Sequence, residues 1–240
     1  MTDSIGASPK ALQRAQVMSA LKTASNKTGA DFDYLVKTAQ RESNFDPGAK
    51  ASTSSATGLF QFTNETWVNM LERYGAKHGV NTDGLSREQM LELRKDASLS
   101  ATMAGELAGE NGKILAKKLG REATSAELYT AHFMGPSDAA RLIEAARDNK
   151  PGMAADMFPR AALANANVFS GADGAKLSPA QLYTKLTGVD VKLADAGLVS
   201  SGVMPNQQSN QAALLQAKLG TAALNSSLMM ALFGLQEDRG

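Results

Sequence analysis

Cysteine is absent from the chain, which excludes a disulfide framework, thiolate metal ligation and a cysteine nucleophile. Histidine is nearly absent too, with only His78 and His132. No GxSxG elbow accompanies them, so a Ser-His-Asp site has little support, and neither HExxH nor a phosphate-binding P-loop occurs. Aromatic residues make up 5% of the chain against 43% for all hydrophobic residues. The apolar content is carried by alanine, leucine and methionine, which suits helix packing better than sheet packing. Net charge is +1 with no basic cluster, so no field points to nucleic acid as a partner. No apolar run reaches membrane-spanning length. The opening residues, MTDSIGASPK, lack the basic start and apolar run of a secretory signal. The expectations are a processed form, export by another route, or retention inside the cell.

What is present is room for a core and a series of helix signals. The 240 residues accommodate one good-sized domain, or one domain and an appendage. A first helix is expected from Pro9 to Thr28, capped by Ser8 and ended by Gly29, with Leu12, Ala15, Ala20 and Leu21 as its apolar side. A second starts near Asp31 and runs through Glu42 before Pro47-Gly48. The small, polar stretch 51–58 reads as a loop. Trp67, Met70, Leu71 and Tyr74 then resume helical spacing. Ser86 with Gln89, and Thr124 with Glu127, form capping boxes. Between them a long helix is expected from Asp96 to Leu119, with Leu99, Met103, Ala104, Leu107 and Leu115 as its core face. Pro136 separates two further helices, and Ser178-Pro179 with Gln181 opens a last short one. NTDG (81–84) resembles half a calcium loop, but Gly79 and Met90 stand where carboxylate ligands belong, so it reads as a turn. No strand alternation of any length occurs, and the fold class expected is all-α.

From about Thr187 the composition shifts to small and polar residues, followed by an apolar stretch containing Leu228, Met229, Met230, Leu232 and Phe233. The expected organisation is a domain over residues 1–187 and, over 188–240, a linker with an amphipathic tail helix. That helix either packs back on the domain or docks a partner protein, because such side chains are costly to expose. Its polar side has few Lys or Arg, which disfavours a membrane-surface role.

Glu42 is the residue that elimination leaves. Positions 32, 35, 39 and 42 fall on one helical face, and Phe32, Leu35 and Ala39 are apolar, so Glu42 continues a core-facing stripe. Arg41 lies about 100° away around the helix. Partial burial disfavours the carboxylate anion, and the negative end of the helix dipole repels it. Both favour the protonated acid that general acid catalysis near neutral pH requires. A solvated charge at a helix end remains the plain alternative.

The stretch ESNFDPGAKASTSSATGLFQF (42–62) resembles the signature of the lytic transglycosylases of the goose-lysozyme-like, Slt-type superfamily. The signature is carried by Glu42-Ser43, Phe45, Pro47, Ser52 and Gly58-Leu59-Phe60-Gln61, in a loop one residue longer than the common pattern. KDASLSATMAGEL (95–107) resembles the helix that follows in the family. The family's Ala-Tyr-Asn-x-Gly element aligns with Ala131 to Gly135, where His132 replaces the tyrosine and Phe133 the asparagine. The likeness runs from about residue 15 to 170 of a divergent branch, and leaves open whether His132 or Tyr129 assists Glu42.

The resemblance implies a lysozyme-like helical domain and a lytic transglycosylase acting on peptidoglycan glycan strands, with neither metal nor cofactor. Glu42 is then the single catalytic residue, cleaving the MurNAc–GlcNAc β-1,4 bond with formation of 1,6-anhydro-MurNAc ends. Ser43, Ser52, Phe60, Gln61, Tyr129 and His132 are the candidate substrate-binding residues. Phe60, Phe62 and Tyr129 are expected to offer faces to sugar rings. Two-carboxylate chemistry would draw on Asp46 or Glu65, both of which read as structural. The alternatives are a muramidase that hydrolyses the same bond and an inactive wall-associated assembly protein. The expected location is the periplasm, the cell envelope or a virion, with flagellum, secretion machine and phage lysin as settings.

Overall fold

Serine, threonine and aspartate begin most of the helices by accepting a hydrogen bond from the backbone N–H two or three residues on, the group a helix start leaves unpaired. In the computed structural model, residues 8–52 and 54–190 are described. Ser8 caps α1 (Pro9–Thr28), Asp31 caps α2 (Phe32–Ser43) and Thr63 caps α3 (Asn64–Tyr74). Ser86 and Gln89 form the capping box of α4 (Arg87–Glu92), and Asp96 caps α5 (Ala97–Leu119). Thr124 and Glu127 box the start of α6 (Ser125–Met134). After α7 (Pro136–Arg147), α8 (Ala154–Met157) and α9 (Pro159–Ala164), a third box at Ser178 and Gln181 opens α10 (Pro179–Thr187). Among the described residues no strand forms, only isolated bridges such as Lys50 with Thr57 and Thr57 with Phe62. The architecture is all-α, as expected. No described helix is long and apolar enough to cross a membrane. The linker and tail helix expected over 188–240 fall, beyond Asp190, outside the described residues.

Helix α5 is the axis of the molecule. The expectation was a single core face, but Ser100 to Ala108 are buried all round, because α1, α2, α3, α6 and α7 all pack against this helix. A Cβ at Gly105 would fall 2.3 Å from the Thr28 hydroxyl, so glycine is what lets α1 approach. Two apolar clusters share this axis. One is built around Trp67, Leu35, Leu59 and Met103, the other around Tyr183, Phe169, Met134 and Leu142. On α1 the buried stripe is Val17, Leu21 and Ala24. Leu12 is 54% exposed and Ala15 is exposed, a correction to the expected face. Both lie in the first two turns, ahead of the Val17–Leu21–Ala24 stripe that meets the core. Leu99 is only half-buried.

The two clusters meet where α2 ends and α6 passes. Arg41 of α2 crosses this seam: its guanidinium donates to the Leu186 carbonyl at the end of α10 (2.9 Å) and lies over the Tyr129 ring of α6 (4.3 Å).

Candidate active site

Glu42 stands in the last turn of α2, with Leu35 and Ala39 fully buried on its face and its own side chain 16% exposed. The helix stops one residue later. Asn44 takes a left-handed conformation (φ 53°) and its N–H caps the carbonyls of Ala39 and Gln40. Phe45 follows at φ 65°. A bulky residue rarely adopts that region, at a cost on the order of 1–3 kcal/mol, and such strain concentrates at functional sites. Phe45 is held there by burial and by the Arg14 guanidinium stacked 4.5 Å from its ring.

The loop that follows is laced to this helix end. The Ser43 hydroxyl lies 2.9 Å from the Leu59 carbonyl and 3.1 Å from that of Ala39, and accepts from the Asp46 N–H (3.2 Å). The Gln61 amide donates to the carbonyls of Ala49 (3.1 Å) and Gly58 (2.9 Å). From the other side, Arg94 inserts a buried guanidinium, donating to the carbonyls of Ser55 (2.9 Å), Phe62 (3.0 Å) and Leu91 (3.0 Å). Gly58 sits at φ 85°, where a Cβ would lie 2.4 Å from the Arg94 carbonyl oxygen, so both conformation and space demand glycine. Sequence reasoning passed over Arg94. Its signal was weak, a charged residue in a short helical segment, and its partners are up to 39 positions away.

Across the seam, His132 points its Nε2 to within 3.4 Å of Glu42 Oε1. That nitrogen is buried and has no hydrogen-bond partner, an arrangement rare enough to call for an explanation. Its ring stacks beside Tyr129 (centroids 6.1 Å apart, planes at 28°). Burial, then the Glu42 charge, push the Tyr129 hydroxyl up to about 12. It therefore stays neutral across the physiological range. No other described basic side chain is recorded within 4.0 Å of a Glu42 carboxyl oxygen.

The sequence-derived candidates thus divide. Glu42, His132 and Tyr129 come together. Ser43 and Gln61 brace the loop through backbone carbonyls, beside Glu42 but committed to the protein. Ser52 is exposed on the loop. Phe60 is 1% exposed and Phe62 4%. Both belong to the core around Trp67, so neither offers a face to a sugar, a correction to that expectation. Tyr129 has Arg41 over its ring and His132 stacked beside it. Of the second carboxylates considered, Asp46 accepts from the Gly48 N–H (2.8 Å) in the turn, and Glu65 pairs with Arg87. Among the described residues no group of three or more His, Asp or Glu is placed to hold a metal ion.

A cavity of about 440 Å³ adjoins the site between α3, α5, α6 and the start of α7. His132 lines it, so that one imidazole borders both the cavity and Glu42. A partly shielded helix-end carboxylate next to an imidazole is an arrangement able to donate and retrieve a proton. Residues 19–104, which hold Glu42 and the laced loop, match the family model described as Transglycosylase SLT domain. Over that segment, about a third of its length, the chain is similar to the SLT transglycosylases.

Proposed function

We propose that the protein is a lytic transglycosylase that cleaves the MurNAc–GlcNAc β-1,4 bond of peptidoglycan, with Glu42 as its single acid and base. The observation that carries this reading is the pairing of a shielded Glu42 with His132 Nε2, 3.4 Å away, while Asp46 and Glu65 are occupied elsewhere. Glu42 gives its proton to the glycosidic oxygen as the bond from that oxygen to C1 breaks. The neighbouring N-acetyl carbonyl of the substrate stabilises C1, as in substrate-assisted glycosidases. The Glu42 carboxylate then takes the proton of the MurNAc 6-hydroxyl, whose oxygen bonds to C1 and closes the 1,6-anhydro ring. His132 stands where it can orient the Glu42 carboxyl in both half-reactions, and Tyr129 supports the imidazole. Ser43, Gln61 and Arg94 keep the loop facing Glu42, and Ser52 is the exposed hydroxyl available to a glycan.

Catalysis is assigned in this reading to residues 1–187 acting in the cell envelope, with 188–240 as an appended segment for a protein partner. The test is turbidity loss of purified cell walls with wild type and Glu42→Gln, followed by product analysis. Anhydro-ended muropeptides from wild type and none from the variant are expected. Reducing ends in their place would make the protein a muramidase, and equal activity of the two proteins would remove Glu42 as the acid.

A further inference from the structure

The cavity beside His132 has a polar composition that bond cleavage at Glu42 does not use. Leu107, Ala131 and Ile114 supply its apolar lining, and about 440 Å³ lies in the usual range for small-ligand pockets. Asn111 of α5 also lines it, and is only 5% exposed. The Asn111 amide makes no hydrogen bond to another described residue, although a buried amide normally finds partners. The pocket also receives the start of α7. That helix opens at Gly135 and Pro136 with no side-chain cap, so first-turn N–H groups at Ser137 and Asp138 lack helical acceptors, although Asp138 places one carboxylate in that turn. Ser137 and Pro136 line the pocket.

The charges around this cavity are unequal. Glu110 is its carboxylate, and it is already engaged by the Arg73 guanidinium (3.0 Å to Oε2) and by the Tyr74 hydroxyl. Burial and Glu110 push the Tyr74 hydroxyl up to about 12, which keeps it a donor. Asp138, in the first turn of α7, is turned to Arg141 (2.9 Å). Lys113 lines the cavity on α5 with no described ion pair of its own. With Glu110 balanced by Arg73, what remains is an ammonium, a buried amide and a helix N-terminus. That combination suits an anion which also accepts hydrogen bonds, and a planar carboxylate fits it.

We propose that this cavity is a binding site for a carboxylate carried on the MurNAc residue, next to the bond at Glu42. The proposal rests on the peptidoglycan reading above and specifies which feature of the polymer is held. Two sources have the same chemistry: the carboxylates of the stem peptide, and the lactyl acid exposed when the stem is removed. Lys113 and the α7 N-terminus bind the carboxylate, and Asn111 bonds the adjoining amide or the second carboxylate oxygen. His132, shared with Glu42, places the bound group in register with the carboxyl that acts on the bond.

The test uses the full chain and GlcNAc–MurNAc disaccharides, which contain no MurNAc–GlcNAc bond and are not turned over. Dissociation constants are measured by calorimetry for the stem-bearing and stem-free disaccharides, each as free acid and as amide. A free acid should bind about tenfold more tightly than its amide, the usual worth of a charge-assisted contact. Lys113→Gln, at an exposed position that leaves the fold alone, should abolish that difference, and Asn111→Leu should weaken both forms. A preference confined to the stem-bearing pair assigns the stem carboxylates, and one kept by the stem-free pair assigns the lactyl acid. Equal affinity of acid and amide in both pairs, an unchanged preference in Lys113→Gln, or no binding of any disaccharide overturns the proposal. Failure of the cleavage reading shows separately, as retained wall lysis by Glu42→Gln.

Discussion

The two sides of the candidate site are held by different means. On the side that matches the SLT domain, Glu42 is fixed by a hydrogen-bonded loop in which Ser43, Gln61 and Arg94 bond the backbone itself. On the other side His132 and Tyr129 are held by ring stacking, by Arg41 and by packing on α7 and α10. Backbone-directed bonds leave few alternative geometries, since removing one strands a buried carbonyl. Stacked rings tolerate exchange of one flat side chain for another. The carboxylate is therefore on the rigid side and its companion on the adaptable side. The SLT match stops at residue 104, ahead of the element in which histidine stands where the family's tyrosine is expected.

Variants on each side put that contrast to the test. Glu42→Gln should lower the rate of wall lysis by about a thousandfold, within the range for loss of a general acid, with the thermal midpoint unchanged. Gly58→Ala should come next. It forces a Cβ against the Arg94 carbonyl at a left-handed position, costing about 1–3 kcal/mol, and should lower both the thermal midpoint and the activity. His132→Ala should reduce kcat by about tenfold with little change in KM, and His132→Tyr should restore much of it. A loss in His132→Ala as large as in Glu42→Gln would erase the distinction between the two sides.

The smallest effect is expected away from Glu42, where Lys77 and His78 each lie 2.7 Å from Glu106 Oε1 on α5. Burial works against the Glu106 anion, but the hydrogen bonds from Lys77 and His78 outweigh it and hold the carboxyl below its ordinary 4.5. A carboxyl depressed in the folded state contributes stability that is fully present above its unfolded pKa and is lost as pH falls through the folded value. Glu106→Gln should cost about 1 kcal/mol at pH 7, and the difference from wild type should shrink as pH falls below 4.5. Thermal unfolding of both proteins across pH 3 to 7, roughly the carboxylate range, reads this directly. A difference constant with pH would remove Glu106 from that role.

How much could be read before folding follows the distance between interacting residues. Helix ends were legible at Ser8, Asp31, Ser86 with Gln89, Thr124 with Glu127 and Ser178 with Gln181, because a cap bonds a backbone group two or three positions away. Glu42 was legible for a similar reason, since its apolar companions lie within one helix. Phe60 was misjudged because an aromatic in a loop has no periodicity to report its burial, and only Trp67 and α5 decide it. Leu12 failed in the opposite direction: its spacing fits an apolar face, but that part of α1 lies ahead of the buried stripe.

The sequence alone determined the helical class, many of the helix ends and the carboxylate at the end of α2, all of them consequences of contacts a few residues long. The tertiary structure decided that His132 rather than Tyr129 reaches Glu42, and that Arg94 holds the loop. It also decided that Asn111 and the uncapped start of α7 share a cavity beside the site. Those contacts join residues tens of positions apart, and only the packing of α2, α6 and α7 around α5 brings them within reach.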